Sequence, residues 1–342
     1  MPTVVLGLLA VLVGLYVVLT GLAWIGFLRS RRQPEPAAPS SWPSVSVLVP
    51  ASDEPPDASA EALRTGEYPA EQVEIIAVDA VADDSSETAP TGIDAAEGDV
   101  VLTLPPGGSV SDQWVRILVQ HCSSESPSVM GPAVIEHDDL FLPRLQALQT
   151  HGRLAFIGGL SQVGLPLGPG TRNRAVRTAT LSSQGNGNAP GESPFVSPSS
   201  ASATYLPDPD AAVQRPPASS FPAYLAHEAQ WFARALRSPF RSVQALSVGL
   251  WSVHTVLLIC SVVAVALPAW RRPTLLALIG KMGADIVLTL PAAKLYGQRG
   301  LLRSIVPSEL LQVLALPVAG LWAIWSLTSG PGSSVSMVRR DS

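Results

Sequence analysis

Acidic residues follow two short hydrophobic runs of the chain, and their positions suit ligand binding. The runs cover residues 44–50 and 73–78, and the acids after them are Asp53, Glu54, Asp79, Asp83 and Asp84. If the runs are parallel strands, these acids lie at the edge where α/β folds bind their ligands. Acids after a strand also serve as turn and helix-cap residues. Contact with a ligand and capping of a turn are therefore both open for Asp79 and Asp84.

The elements that would position these acids have the composition of buried strands. Apolar runs at 45–49, 73–78 and 100–104 predict three strands, and the polar stretch 58–65 predicts a helix between the first two. Helical patterns follow at 113–121 and 140–155, with a further strand predicted at 129–135. The predicted fold class is therefore α/β, with a parallel, Rossmann-like sheet of the nucleotide-binding type.

Four apolar stretches distinguish the chain from an ordinary soluble protein. Its composition is 47% hydrophobic and only 14% charged. The run 4–28 carries no charge and, at roughly 1.5 Å per residue, is long enough to cross a bilayer. Stretches at 243–267, 275–296 and 310–327 predict three more spans. A cleavable signal peptide is the alternative for the first run, but the basic cluster at 29–32 follows this run instead of preceding it.

The charges predict an orientation and exclude one class of partner. Nine Arg and Lys residues flank the spans on the side of the large domain, and four lie on the other side, including Arg271 and Arg272. By the positive-inside rule, the large domain is cytoplasmic and the protein is a multi-pass protein of the inner (plasma) membrane. Between residues 42 and 228, 23 acids oppose 8 arginines and no lysine, so the domain should repel nucleic acid. Cys122 and Cys260 are too few for a disulfide framework.

Three segments outside the strands have distinctive compositions. Residues 33–42 form a Pro/Ala/Ser linker, and residues 182–203 are too rich in Ser, Gly and Asn to offset their ordering entropy, which predicts a flexible loop. The segment 219–241 predicts an amphipathic helix at the membrane interface, with packing on the domain core as the alternative. The predicted organisation is an anchor at 1–32, a linker at 33–42, a domain at 43–218, an interfacial helix at 219–241, three spans within 242–330 and a tail at 331–342.

The order of these features resembles glycosyltransferase family 2, in its membrane-anchored, cellulose-synthase-like branch. The resemblance depends on the strands at Ser44–Pro50, Tyr68–Asp79 and Gly98–Thr103 and on the Leu206–Pro209 turn, set between one anchor and three C-terminal spans. It implies a cytoplasmic domain like that of nucleotide-diphospho-sugar transferases, plus transmembrane helices. In that family, acids after the first two strands hold the uracil and ribose of the donor. The resemblance therefore implies a residual nucleotide site formed by Glu54, Asp79 and Asp84.

The chain departs from the family at the positions that perform the chemistry. The family's Asp-x-Asp, which holds Mg²⁺ or Mn²⁺ against the diphosphate, matches 105–107, which read Pro-Pro-Gly. The acid pair that serves as base falls within 184–190, where the only nearby acid is Glu192. Asp112 is predicted to cap the next helix, with a displaced metal ligand as the alternative.

The family's acceptor clamp, Gln-x-x-Arg-Trp, also survives only in part. It matches residues 227–231, where Gln230 replaces the arginine. A glutamine cannot supply the guanidinium charge that suits a diphosphate. The predicted remnant of the clamp is His227, Gln230 and Trp231, and no residue is assigned as catalytic or as a metal ligand.

These departures lead to one hypothesis and one rival. The hypothesis is a catalytically degenerate homologue, a pseudoenzyme without a cofactor, which binds membrane lipid and serves as a binding or scaffolding partner of an active glycosyltransferase in polysaccharide or glycolipid synthesis. The rival is an active enzyme that moves a hexose from a nucleotide sugar to a lipid or glycan acceptor, using Mg²⁺ or Mn²⁺ and displaced acids such as Asp112, Asp139 or Glu192. The sequence leaves the choice open.

One ion pair is predicted inside the membrane. Lys281 and Asp285 lie four residues apart in the third predicted span and so share a helix face. Charged groups at this depth point into a helix bundle or toward the interface. The predicted role is a structural lock between helices, and transport is the alternative.

Overall fold

The protein is described from a computed structural model, which covers residues 2–32, 35–51, 63, 66–79, 95–165, 173–184, 203–238 and 240–328. Several predicted features lie outside these ranges. They are Asp53, Glu54, Asp83, Asp84, Glu192, the helix at 58–65 apart from Leu63, most of the loop at 182–203, and the tail at 331–342.

Three parallel strands confirm the first half of the predicted sheet. Strand β1 (Val45–Ala51) lies between β2 (Val73–Asp79) and β3 (Val100–Thr103). Val45 and Val47 of β1 are buried in one hydrophobic cluster, and Leu48 is buried in another. Successive side chains of a strand point to opposite faces, so β1 is covered on both sides. This explains its predominantly apolar composition.

The rest of the sheet differs from the prediction, because it is mixed and not parallel. The remaining strands are β4 (Ser128–Met130), β5 (Ala133–Ile135), β6 (Arg174–Arg177), β7 (Thr204–Tyr205) and β8 (Val213–Arg215). Strand β6 runs antiparallel to both β3 and β4, within a six-stranded sheet of order β2-β1-β3-β6-β4-β7. Its only apolar residues are Ala175 and Val176, between two arginines, which is too short a pattern to predict a strand.

The single strand predicted at 129–135 is two strands in two sheets. Gly131 and Pro132 separate β4 from β5, and β5 pairs in parallel with β8 in a separate two-stranded sheet. Pro132 has no N–H to donate to a ladder. The N–H of Gly131 donates instead to the carbonyl of Asn173 at 3.0 Å. A Cβ on Gly131 would lie 2.5 Å from Asn173 Nδ2, so this approach requires glycine.

The helices agree with the predicted spans. Those with described bounds are α1 (Pro2–Ser30), α2 (Trp114–His121), α3 (Phe141–Gln162), α4 (Thr178–Gln184), α5 (Phe221–Arg237), α6 (Arg241–Ala266), α7 (Pro268–Leu295) and α8 (Ile305–Thr328). Short 3₁₀ helices at Ala70–Gln72 and Arg299–Ser304 precede β2 and α8. Within the described residues, four stretches can cross a membrane by length and composition: Val4–Ser30, Arg241–Ala266, Pro268–Leu295 and Arg299–Thr328.

The largest extensions beyond the predicted bounds are in two helices. Helix α3 ends at Gln162 instead of 155, and α7 begins at Pro268 instead of 275. A proline is well tolerated in the first turn of a helix, where its missing N–H is not needed. Arg271 donates from Nε to the carbonyl of Ala264 at 3.1 Å and from Nη2 to that of Val265 at 3.4 Å. It thereby covers carbonyl groups that the end of α6 leaves unpaired.

The chain packs as two compact units. The helical unit comprises Met1–Ile25, His137–Phe156 and Pro217–Ser342, and the sheet unit comprises Gly26–Glu136 and Ile157–Pro216. In the sheet unit, the fully buried Trp114 of α2 packs with residues of β1 and β3. In the helical unit, one core cluster joins α1, α6 and α8 and a second joins α5 with α8.

The predicted amphipathic segment contains α5, and the apolar side of this helix is the side that packs in the interior of the helical unit. Tyr224, Phe232 and Ala235 are buried, whereas Arg237 on the predicted polar side is exposed. Phe232 and Ala233 contact Ala319 and other small residues of α8, one of the membrane-length helices. The location of α5 at the lipid headgroups stays a prediction.

The described part of the predicted linker packs on the sheet unit. The carbonyl of Pro36 accepts a hydrogen bond from Gln120 Nε2. The ring of Trp42 meets that of Tyr68 edge to face, 5.1 Å between centroids, and Tyr68 Oη donates to the carbonyl of Pro43 at 2.6 Å. Burial raises the pKa of Tyr68, so its hydroxyl stays protonated as the donor.

Both cysteines are buried, and neither forms a disulfide, which agrees with the prediction that they make no disulfide framework. Burial raises the pKa of Cys122 to about 12. A thiol in this environment stays protonated at neutral pH and is a poor nucleophile.

Candidate functional site

The ends of the parallel strands contain only part of the predicted nucleotide site. Asp79 is the last residue of β2, and its backbone aligns with Ala51 of β1. Glu54 and Asp84 lie outside the described residues. The grouping of these three acids around a nucleotide therefore stays a prediction.

The loop after β3 contains residues 105–107, which the resemblance matches to the family's metal site, and these residues do not fit a divalent cation. Mg²⁺ and Mn²⁺ prefer carboxylate oxygens, and residues 105–107 have no side-chain oxygen. The loop is a tight turn, in which the N–H of Gly108 donates to the carbonyl of Pro105 at 3.1 Å. Gly107 has a φ of +65°, a conformation that favours glycine. A Cβ on Gly108 would lie 2.5 Å from Val213 of β8, so the loop packs closely on that strand.

The acids near this loop do not assemble into a substitute site. Glu136 accepts a hydrogen bond from Ser109 Oγ at 3.3 Å, and Asp208 accepts one from the N–H of Asp210 at 2.8 Å. Asp112 is exposed, and the prediction that it caps α2 is wrong, because the N-cap residue is Gln113. Within the described ranges, no three His, Cys, Asp or Glu side chains are grouped to hold a metal ion.

The helical unit places a partly buried ion pair beside Trp231. Glu228 and Trp231 lie on α5, and Arg153 reaches both of them from α3. Arg153 Nη2 donates to the two carboxylate oxygens of Glu228 at 2.7 and 2.6 Å. Its Cζ lies 4.9 Å from the centroid of the Trp231 ring, in cation–π contact. These three residues are called the Arg153 cluster below.

The charges of the Arg153 cluster stabilise each other. The side chain of Glu228 is 8% exposed and that of Arg153 is 31% exposed. Burial alone would lower the pKa of Arg153, but the carboxylate of Glu228 outweighs burial and raises it. Burial and the charge of Glu228 also raise the pKa of the neighbouring Tyr224. The cluster is therefore a charged pair beside a neutral phenol at neutral pH.

A polar face of α3 fixes the position of Arg153. Gln149 Oε1 accepts a hydrogen bond from Tyr224 Oη at 2.8 Å, which joins α3 to α5. Gln146 exchanges hydrogen bonds with the backbone of Ala218, at 2.9 and 3.3 Å. Gln146, Gln149 and Arg153 recur every three or four residues and so share one side of the helix. This spacing is the signal by which the sequence could have indicated Arg153.

A neutral histidine fixes the same helix on another side. His151 Nε2 lies 2.6 Å from Gln298 Oε1, and its ring stacks on that of Tyr296 with 5.2 Å between centroids. Burial lowers the pKa of His151 to about 4. The ring is therefore uncharged at neutral pH, and its role is structural.

The joint role of the three residues of the predicted clamp stays a prediction. His227 is exposed and Gln230 is half-buried, and only Trp231 belongs to the Arg153 cluster. The guanidinium that is missing at Gln230 is present beside Trp231, but it comes from a different helix. The motif could not indicate this, because Arg153 lies far from residues 227–231 in the sequence.

A narrow groove between α5, α6 and α8 borders the cluster. Glu228, Trp231, Trp251 and Ala319 are among its lining residues, and its enclosed space is about 10 Å³, enough for one water molecule. A Cβ on Gly320 would lie 2.2 Å from the Trp251 ring, which shows how closely the ring fills the gap. A ligand at the Arg153 cluster therefore has to bind on its exposed side.

Comparison with known proteins identifies the fold. No protein-family model matches the chain, and no curated protein sequence matches it. Among solved structures, the mannosyltransferase PcManGT from Pyrobaculum calidifontis, determined with GDP-Man and Mn²⁺, is similar with a TM-score of 0.54 at 15% identity, over 94% of this chain and 99% of that one. The chain thus has a glycosyltransferase fold. Residues 1–349 of TarS from S. aureus match more weakly, with a TM-score of 0.33 at 12% identity over 82% and 91% of the two chains.

Proposed function

We propose that this protein is a membrane-anchored, catalytically degenerate glycosyltransferase homologue of the family 2 type. It binds a nucleotide sugar or a related sugar phosphate and serves as a binding or scaffolding partner of an active enzyme in polysaccharide or glycolipid synthesis. The observation that carries the proposal is the Pro-Pro-Gly turn at 105–107, which the resemblance to family 2 matches to the carboxylates of the metal site.

The Arg153 cluster supports retained binding of an anionic ligand. The carboxylate of Glu228 takes its two hydrogen bonds from Nη2 alone, and about a third of the Arg153 side chain is exposed. A guanidinium has five N–H donors in a fork that matches phosphate oxygens. Trp231 adds an aromatic surface next to this fork. The pair with Glu228 keeps the guanidinium oriented before any ligand binds.

The proposed ligand class and location have separate support. The structurally similar mannosyltransferase was determined with GDP-Man, which makes a nucleotide sugar the first ligand to test. The four membrane-length helices support a multi-pass membrane protein. The excess of basic residues on one side of the spans supports a plasma-membrane location with the main domain in the cytoplasm.

The purified protein is expected to show no sugar transfer or nucleotide-sugar hydrolysis. In detergent with GDP-mannose or UDP-glucose and either Mg²⁺ or Mn²⁺, nucleotide release should equal that of a protein-free control, since residues 105–107 cannot hold the metal. Any nucleotide sugar that binds should do so equally well with EDTA. Turnover that EDTA abolishes would overturn the proposal and favour the active enzyme.

Binding of GDP-mannose is expected to weaken at least tenfold when the Arg153 cluster is changed. Hydrogen bonds to charged groups contribute about 1.5–3 kcal/mol, and a tenfold change in affinity corresponds to about 1.4 kcal/mol. Arg153→Lys keeps a positive charge opposite Glu228 but loses the planar fork, and Trp231→Ala removes the aromatic surface. Isothermal titration calorimetry on each variant measures the effect.

The matched control for Arg153 is Arg237→Met, which removes an exposed arginine from α5 outside the cluster. It should bind GDP-mannose as the unchanged protein does. If Arg153→Lys and Trp231→Ala both retain full affinity, the cluster is only structural and is not the ligand site.

A further inference from the structure

Membrane-length helices α1, α6, α7 and α8 together enclose a group of polar side chains. Its members are Tyr16 from α1, His254 from α6, Lys281 and Asp285 from α7, and Glu309 and Gln312 from α8, and this group is called the bundle cluster. Lys281 is 1% exposed, and Asp285 and Glu309 are 8% and 6% exposed. The ion pair predicted between Lys281 and Asp285 is present, at 2.9 Å, but it is part of a larger site.

Lys281 is the centre of the bundle cluster. Its Nζ lies 2.9 Å from Asp285 Oδ2, 2.5 Å from Glu309 Oε2 and 2.8 Å from Gln312 Oε1. The ammonium donates hydrogen bonds to Glu309 and Gln312, and its contact with Asp285 Oδ2 is an ion pair. Tyr16 Oη donates to the other oxygen of Asp285, Oδ1. Two carboxyl groups thus share one ammonium.

The formal charges of the bundle cluster do not balance. One ammonium and two ionised carboxylates leave one negative charge over, and in the described part of the chain Lys281 is the only Lys or Arg paired with either acid. Tyr16 is a hydrogen-bond donor to Asp285 and is therefore neutral. His254 Nδ1 lies 2.8 Å from the carbonyl of Leu250, and its ring stands edge-on to Tyr16. An uncompensated charge is highly unfavourable in an apolar bundle.

We propose that the bundle cluster binds one proton, which the carboxyl groups of Asp285 and Glu309 share. Both groups contact the same ammonium nitrogen, so they are immediate neighbours, and two adjacent carboxylates in an apolar site do not both ionise. The bound proton brings the cluster to neutrality. This inference is independent of the proposed function, because it concerns only the assembly of the four helices.

The bound proton makes the stability of the helical unit depend on pH. Above about pH 5, the unfolded chain has released the protons of ordinary carboxyl groups, whereas the folded chain keeps one. A proton held only by the folded state is released on unfolding, and this release becomes more favourable as pH rises. The free energy of unfolding therefore falls as pH rises. For one proton, the ratio of folded to unfolded protein falls about tenfold per pH unit.

The test is unfolding of the full-length protein in detergent at several pH values between about 7 and 9, a range above the titration of ordinary histidines. The unchanged protein should lose stability with the slope of one proton. Glu309→Gln replaces the acid with a neutral group of the same shape, and its stability should not vary with pH. Glu71→Gln, an exposed acid of the sheet unit, is the control and should keep the full slope.

An infrared measurement reads the proton directly. The carbonyl stretch of a protonated carboxylic acid should be present in the unchanged protein near neutral pH and should be absent from Glu309→Gln. Asp285→Asn should likewise abolish the pH slope, and it provides a second variant should Glu309→Gln fail to fold.

Several outcomes would overturn the proposal. The unchanged protein could show no slope, or both amide variants could keep it. A slope that is lost in His254→Gln and kept in Glu309→Gln would place the proton on the imidazole. Failure of both amide variants to fold at neutral pH would also contradict the proposal, because an amide imitates the protonated acid.

Discussion

Replacing Lys281 by methionine is expected to abolish folding of most of the protein at neutral pH. The ammonium is 1% exposed and is the cation shared by Asp285 and Glu309, so its removal leaves two carboxyl groups without a counter-charge. Removing one partner of a buried ion pair costs about 3–5 kcal/mol, which exceeds a hundredfold change in the folded fraction. The measurement is the yield of monodisperse protein on size-exclusion chromatography in detergent.

Rescue of this variant requires changes to both acids. The pair predicted from the sequence suggests that an apolar replacement of Lys281 and Asp285 restores folding, but such a double variant leaves the carboxyl group of Glu309 in the bundle without its ammonium partner. The triple variant Lys281→Met, Asp285→Asn, Glu309→Gln removes every charge and should recover most of the yield. If Lys281→Met alone folds as well as the unchanged protein, the ion pair does not stabilise the bundle.

The parts of the fold that the sequence could predict are those with long apolar patterns. Strands β1, β2 and β3 and the membrane-length helices each follow from a stretch in which apolar residues predominate. Strand β6 could not be predicted in this way. Its Arg174 is 4% exposed, and burial lowers its pKa to about 10, so a charged residue stands where a strand pattern requires an apolar one. Its antiparallel direction depends on its neighbours β3 and β4, which its own residues do not specify.

In the candidate site, too, some features could be predicted from the sequence and others could not. That residues 105–107 offer no side-chain oxygen to a metal follows from the sequence alone, because proline and glycine cannot provide oxygen ligands whatever the fold. The Arg153 cluster could not be predicted from the sequence, since Arg153 and Trp231 meet only after α3 and α5 pack together. The contact with Glu309 could not be predicted either. Lys281 and Asp285 share a helix turn, whereas Glu309, the second carboxylate beside Lys281, comes from α8. Contacts within one helix follow from spacing, and contacts between helices do not.

Replacing Gly26 by alanine is expected to destabilise the protein by about 1–3 kcal/mol, as overpacking of an interior does. A Cβ on Gly26 would lie 2.0 Å from the carbonyl oxygen of Gly159 and 2.8 Å from its carbonyl carbon. These are backbone atoms of α3, which cannot rotate away as a side chain can. The methyl group therefore forces α1 and α3 apart where their backbones touch. Thermal unfolding in detergent, followed by tryptophan fluorescence, measures the loss.

Gly14→Ala is the matched control, because it makes the same change in the same helix. A Cβ on Gly14 would have no atom within 4 Å. Alanine is favoured over glycine in a helix by up to about 1 kcal/mol, so this variant should be as stable as the unchanged protein or slightly more stable. The two substitutions therefore have opposite expected signs, although their chemistry is identical. Equal unfolding temperatures for both would mean that the backbones of α1 and α3 do not touch at Gly26 and Gly159 in the folded protein.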